Sequence, residues 1–129
     1  ENWRVICERL VWGVPERRKA IMDRVEVGDL FVFYVKPKRI GGIFKVVSKP
    51  FKSYEELFSW GEYGKAELFP YRVMLEPVIV LEEPVEFEPL VGRLSFTRGK
   101  TRWSAPFRMG MFTISKEDYE IIKAYVGER

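Results

Sequence analysis

The chain opens with apolar positions in helical rhythm. In "NWRVICERLV", Trp3, Ile6, Cys7, Leu10 and Val11 follow the i, i+3, i+4, i+7, i+8 spacing of one helix face. Trp12-Gly13 is expected to end that helix. Pro15 suits the first turn of a second helix running to about Val25, with Ala20, Ile21 and Met22 as its inward candidates. The rhythm then changes. "VEVGDL" reads as a turn, because Gly28 supplies conformational freedom and Asp29 tolerates tight geometry. "LFVFYV" (Leu30–Val35) is apolar at every position and rich in aromatic and branched side chains, the pattern of a strand covered on both faces. "KPKRIGG" turns the chain, and "GIFKVVS" returns as a second strand.

Further along, Ser53 and Glu56 have the spacing of a capping box before a short helix, "YEELFSW". Tyr71 to Glu83 reads as a long strand in which Pro77 implies an edge or a bulge. "EFEPLVGRL" predicts one or two helical turns, "FTRGKTRWSAPF" a basic loop or hairpin, and "RMGMFTI" a strand. Ser115 with Asp118 starts a final helix, "KEDYEIIKAYV", with Tyr119, Ile122 and Val126 turned inward. Strands with short intervening helices indicate an α+β fold: a small, mostly antiparallel β-barrel flanked by short helices, in a single domain over residues 1–129.

Composition narrows the chemistry. A chain that is 47% hydrophobic and 32% charged is globular, with no run long enough to span a membrane and no signal peptide. Its single cysteine, Cys7, cannot form an internal disulfide, so a cytoplasmic protein is expected. The absence of histidine removes Ser-His-Asp and Cys-His nucleophile systems and His-containing zinc sites. "GEYGKAE" has its glycines and lysine at the wrong spacing for a phosphate loop. Neither a cofactor nor a metal ion is expected. Glutamine is absent and Asn2 is the one asparagine, a depletion typical of proteins that work hot.

The net charge of +3 hides a strong segregation. Residues 1–52 sum to +6, residues 53–92 to −7 and residues 93–129 to +4. If the basic segments meet, they make a positive face suited to a phosphate backbone.

With these segments in view, the chain resembles a known family. "VWGV" at 11–14, a basic helix, "VGDLFVFYV" at 27–35, "IGGIFKVVSKPF" at 40–51 and "FPYRVMLEPV" at 69–78 occur in the order and spacing of the EVE domain. That family is PUA-like and related to YTH domains. The resemblance implies a PUA-like barrel with a pocket beside the "WGV" turn, where YTH relatives accept a methylated adenine. Trp12 matches the tryptophan that follows the first helix there, and Gly13 or Val14 would present a backbone amide. The segment that supplies a second wall falls near Tyr71 to Leu75, which holds no tryptophan. EVE domains usually open with a strand before the first helix; this chain begins at "ENWRV", so that strand is expected to be lost or to lie outside the sequence. Where many relatives end a strand in Tyr-His-Ser, this chain has Tyr34-Val35-Lys36.

The resulting expectation is a non-catalytic nucleic-acid-binding module that accepts a methylated or otherwise modified base of DNA or RNA in an aromatic pocket. Such a pocket needs flat apolar walls to replace base stacking. Trp12, Gly13, Val14, Tyr34, Tyr71 and Trp103 are the candidate base contacts. Arg17, Arg18, Lys36, Arg39, Arg98, Lys100 and Arg102 are the candidate phosphate contacts, with Lys19 and Lys38 beside them. The competing expectation is a PUA-like ribonuclease or amidohydrolase of the ASCH type, acting on nucleotide-like substrates through residues such as Tyr34 and Lys36.

Overall fold

The computed structural model describes residues 2–55 and 69–127. Among these residues are three α-helices, α1 (Asn2–Arg9), α2 (Lys19–Asp23) and α3 (Lys116–Gly127), and five strands. The strands are β1 (Val11–Val14), β2 (Leu30–Val35), β3 (Arg39–Val46), β4 (Phe51–Lys52) and β5 (Tyr71–Glu86). They form one sheet in the order β1-β5-β3-β2, with β4 also on β5. β1 and β4 pair antiparallel with β5, and a three-residue turn makes β2–β3 a hairpin. The α+β class is therefore as expected and is consistent with a PUA-like fold.

By contact the chain divides into two compact units. Glu1–Leu30 with Lys45–Pro77 make the first, and Phe31–Phe44 with Val78–Arg129 the second.

In the first unit, the start of the chain departs from the sequence reading. The helix stops at Arg9 because Leu10 takes a left-handed conformation (φ 53°), which a helix cannot continue through. Val11–Val14 then becomes a strand, so Trp12-Gly13 is not a helix end. Four residues give too little alternation to be told from the tail of a helix. The register is Val11↔Met74, Trp12↔Val73, Gly13↔Arg72 and Val14↔Tyr71. After Pro15, a 3-10 turn (Glu16–Arg18) leads into the one-turn α2, shorter than the expected helix. Met22 is buried there, whereas Ala20 is exposed. The Gly28 turn holds as expected: Gly28 has φ 99°, and Asp29 Oδ2 accepts the Glu26 N–H at 2.9 Å. Buried Ile6, Val11, Val14, Met22, Val25, Val46, Val73 and Leu75 are among this unit's core residues.

Pro77 does not interrupt β5. The Leu75 N–H donates to Leu10, so alternate N–H groups on that side face β1; Pro77, two residues on, lies past the end of β1. Its missing N–H leaves no ladder bond unmade.

In the second unit, Ile40, Phe87, Leu90, Leu94, Ile122, Tyr125 and Val126 form a buried cluster. α3 starts as expected, with the Asp118 N–H donating to Ser115 Oγ at 3.1 Å. Two expectations fail here. "LFVFYV" is not covered on both faces: Leu30 is exposed, and Phe33 is the one buried residue of β2. "RMGMFTI" is not a strand: Ala105–Met109 is a 3-10 helix, Gly110 adopts φ 80°, and residues 111–115 have no regular structure. Phe107 and Phe112 are instead ring-packed against each other and against Phe96. The segments "YEELFSW", beyond Glu55, and "GEYGKAE" lie outside the described residues.

Candidate functional site

The sequence candidates fall into two groups, one in each unit. Trp12, Gly13, Val14, Tyr71, Arg17 and Arg18 belong to the first, and Tyr34, Trp103, Lys36, Arg39, Arg98, Lys100 and Arg102 to the second.

In the first unit, β1 and the start of β5 carry the site. Directly paired residues of antiparallel strands share a face, and faces alternate along each strand. Trp12 therefore shares its face with Val14, Val73 and Tyr71, and stands diagonally across from Tyr71. Val14, Val73 and Tyr71 are buried while Trp12 is half-buried. The Tyr71 hydroxyl donates to Glu16 Oε2 at 2.5 Å. The Lys19 and Lys52 ammonium groups lie 5.6 and 5.7 Å from the centre of its ring, and Lys52 lies 5.1 Å from that of Tyr54. An aromatic wall is thus bordered by cations, with Arg17 and Arg18 in the adjoining 3-10 turn.

Gly13 occupies the opposite face. A Cβ there would stand 2.9 Å from the Phe69 carbonyl oxygen and 3.0 Å from Arg72 Cγ, so the missing side chain makes room for Arg72. Sequence reasoning missed Arg72. It is 2% exposed, donates from Nε to the Phe69 carbonyl at 2.8 Å, and also bonds Ser53 Oγ and the Glu55 carbonyl. Burial is the main influence lowering its pKa, with Glu55 opposing and Arg9 adding. Its guanidinium joins the chain at Ser53–Glu55 to the chain at Phe69. A basic residue flanked by apolar neighbours in a strand was the available signal.

In the second unit the aromatic candidates are already stacked. Tyr34 lies parallel to Phe107 at 4.0 Å, and Trp103 parallel to Phe87 at 5.3 Å. Phe87 and Phe107 meet edge to face at 5.2 Å. Lys38 Nζ lies 5.4 Å from the centre of the Trp103 ring. The β2–β3 turn, with Lys36 and Lys38, therefore meets the loop that carries Arg102. Arg98, Lys100 and Arg102 are exposed, while Arg39 donates to the Lys36 carbonyl at 2.9 Å. Two of the basic stretches expected to make a positive face are thus brought together here.

Burial raises the pKa of Tyr34; hydrogen bonding to Glu16, then burial, raises that of Tyr71. Lys19 is raised chiefly by its hydrogen bond to Asp23, and Lys52 by that to Tyr54. All four move away from neutrality. Among the described residues no group of three or more Cys, Asp or Glu is placed to hold a metal ion, and no helix is long and apolar enough to cross a membrane.

The sequence profile of the EVE domain matches residues 2–125. The chain belongs to the EVE domain family. Relatives of this EVE domain include UPF0310 proteins of Pyrococcus abyssi, 39% identical over 96% of this chain and 92% of the relative, and of Pyrococcus horikoshii, 37% identical over 95% and 90%. A UPF0310 protein of Mesorhizobium japonicum is 30% identical over 88% of this chain and 77% of its own.

Proposed function

We propose that this EVE domain binds nucleic acid without turning it over and receives one methylated base against Trp12. The observation that carries the proposal is the half-buried Trp12 ring on the strand face shared with Tyr71, with Lys19 and Lys52 gathered at Tyr71. A planar base stacked on Trp12 would recover the stacking lost on leaving its strand, roughly 1–3 kcal/mol. Gly13 and Val14 present backbone beside it, and Arg17 and Arg18 border the same strand. A methyl group adds about 0.8 kcal/mol of apolar burial, near fourfold in affinity. A binding role also agrees with the titration of the site: Tyr71, Lys19 and Lys52 are all shifted away from the range in which general acid–base catalysis works at neutral pH.

The test is a titration of methylated and unmodified oligonucleotides, DNA and RNA, at two salt concentrations. The expected result is salt-sensitive binding, a several-fold preference for one methylated strand, and recovery of that strand intact. Trp12→Ala should abolish the preference. Equal affinity of the parent protein for every strand overturns the proposal, as does a preference that survives Trp12→Ala. Cleavage that Lys36→Ala removes would assign a hydrolase instead.

A further inference from the structure

The second unit holds a cationic surface that the Trp12 strand does not use. From Pro89 to Lys116 the chain carries no carboxylate, and neither does the turn at residues 36–39. Lys36, Lys38 and Arg39 come from that turn, and Lys100 and Arg102 from the loop that precedes Trp103. Among the described residues none of these five makes an ion pair, although Glu86 and Glu88 flank Phe87 nearby. Arg98 is different: its charge acts on buried Asp118.

Unpaired surface cations are common, but here the backbone that carries them is fixed. The Phe87 N–H donates to the Lys38 carbonyl at 3.0 Å, and Phe87 stacks on Trp103. Phe107, from the same loop region, stacks on Tyr34 at the end of β2. Rings thus clamp a loop without strands to a hairpin turn. The Lys38 ammonium is drawn to the Trp103 ring, which limits its freedom before any ligand arrives.

We propose that the 36–39 turn and the 100–102 stretch form a phosphodiester-binding surface that holds a nucleic-acid strand irrespective of base modification. Trp103 is a positioning residue for Lys38 rather than a contact to the base. This rests on the nucleic-acid reading above, but it assigns affinity and base preference to different residues. Phosphate contacts release counterions and carry no base information.

The experiment measures binding of an unmodified single strand and its methylated counterpart across a salt series. The proteins are the parent, Trp12→Ala, Lys38→Ala, Lys38→Ala/Arg102→Ala, Trp103→Phe, Trp103→Ala and Lys38→Ala/Trp103→Ala. Removing two phosphate contacts should flatten the slope of log K against log salt by about 1.4. Affinity should fall by one common factor for both strands, leaving preference intact. Trp103→Phe keeps a ring face and should bind like the parent. In Trp103→Ala, adding Lys38→Ala should cost much less than it does in the parent. An unchanged slope in the double variant overturns the proposal; so does a loss confined to the methylated strand, or a parent that binds phosphatidylserine-rich vesicles and no strand. If the slope falls as stated while Trp12→Ala leaves base preference untouched, the base-reading proposal fails and this one stands.

Discussion

Asp118 offers a quantitative test of the second unit, because its carboxylate anchors the loop leading to Arg98 and Lys100. It is 3% exposed and accepts the Ser95 N–H at 2.9 Å and the Ser95 hydroxyl, while its own N–H is capped by Ser115. Burial, the largest single influence, pushes its pKa up. Hydrogen bonds from Ser95 and Ser115 and the charge of Arg98 together outweigh it, so the native carboxyl titrates below its ordinary range. Its stabilisation is therefore fully present above the unfolded value of about 3.9 and is lost as pH falls through the depressed native value. Asp118→Ala removes both bonds to Ser95, whose donors can then turn to water, and should cost about 2 kcal/mol at neutral pH. At about 3–5 °C per kcal/mol for a chain of this size, the melting temperature falls by about 6–10 °C. Asp118→Asn keeps an acceptor for the Ser95 N–H but loses the charge, and should cost about 1 kcal/mol. Urea unfolding of the parent and Asp118→Asn from pH 7 downward checks the sign: the gap between them should close below pH 4. A gap that stays constant with pH, or an Asp118→Ala protein that melts with the parent, refutes the reasoning.

Other substitutions probe other parts of the chain. Gly42→Ala would place a methyl carbon 2.3 Å from the Ile79 carbonyl oxygen and 3.1 Å from Val80 Cα, both backbone. β3 and β5 must part locally, so urea unfolding should show a loss of about 1–3 kcal/mol, whereas Gly92→Ala, which meets open space, should stay within about 0.5 kcal/mol of the parent. Arg72→Met leaves the carbonyls of Phe69 and Glu55 without their guanidinium partner and should cost about 2–4 kcal/mol in the same assay; Arg72→Lys, with no planar fork, should restore only part. The Cys7 thiol is half-buried, and burial, then Glu8, raises its pKa. At pH 7.5 it should react with a disulfide reagent more slowly in the folded protein than in the unfolded chain, as a time course of thiol release will show.

The elements legible in the sequence were those whose periodicity ran long enough to be distinctive. α3 has a cap, a helical face and twelve residues; β5 has branched and aromatic residues on both sides of Pro77, enough of them to read as one strand. β1 was lost because it directly follows a helix whose apolar spacing its first residue continues. The boundary is a backbone event at Leu10 with no glycine to announce it. The 108–114 segment failed for a different reason. Its apolar residues suit a strand, yet Phe107 and Phe112 gain more by packing edge to face with each other and with Phe96 than by joining a ladder.

The same physics explains how much of the candidate site could be read in advance. Residue type identified the aromatics and cations, but not what the aromatics already touch. Trp12 and Trp103 look alike as isolated tryptophans beside basic residues. In the structure, strand register puts Trp12 on a face it shares with Tyr71, while a loop without strand pairing holds Trp103 parallel to Phe87. A ring stacked on a neighbour has spent part of its apolar surface, and what it offers a ligand is the position it gives to others, here the Lys38 ammonium. Base preference should therefore follow substitutions along β1, and salt dependence should follow substitutions in the 36–39 turn and the 100–102 stretch. A chain in which either measurement tracked the wrong group would break that division of labour.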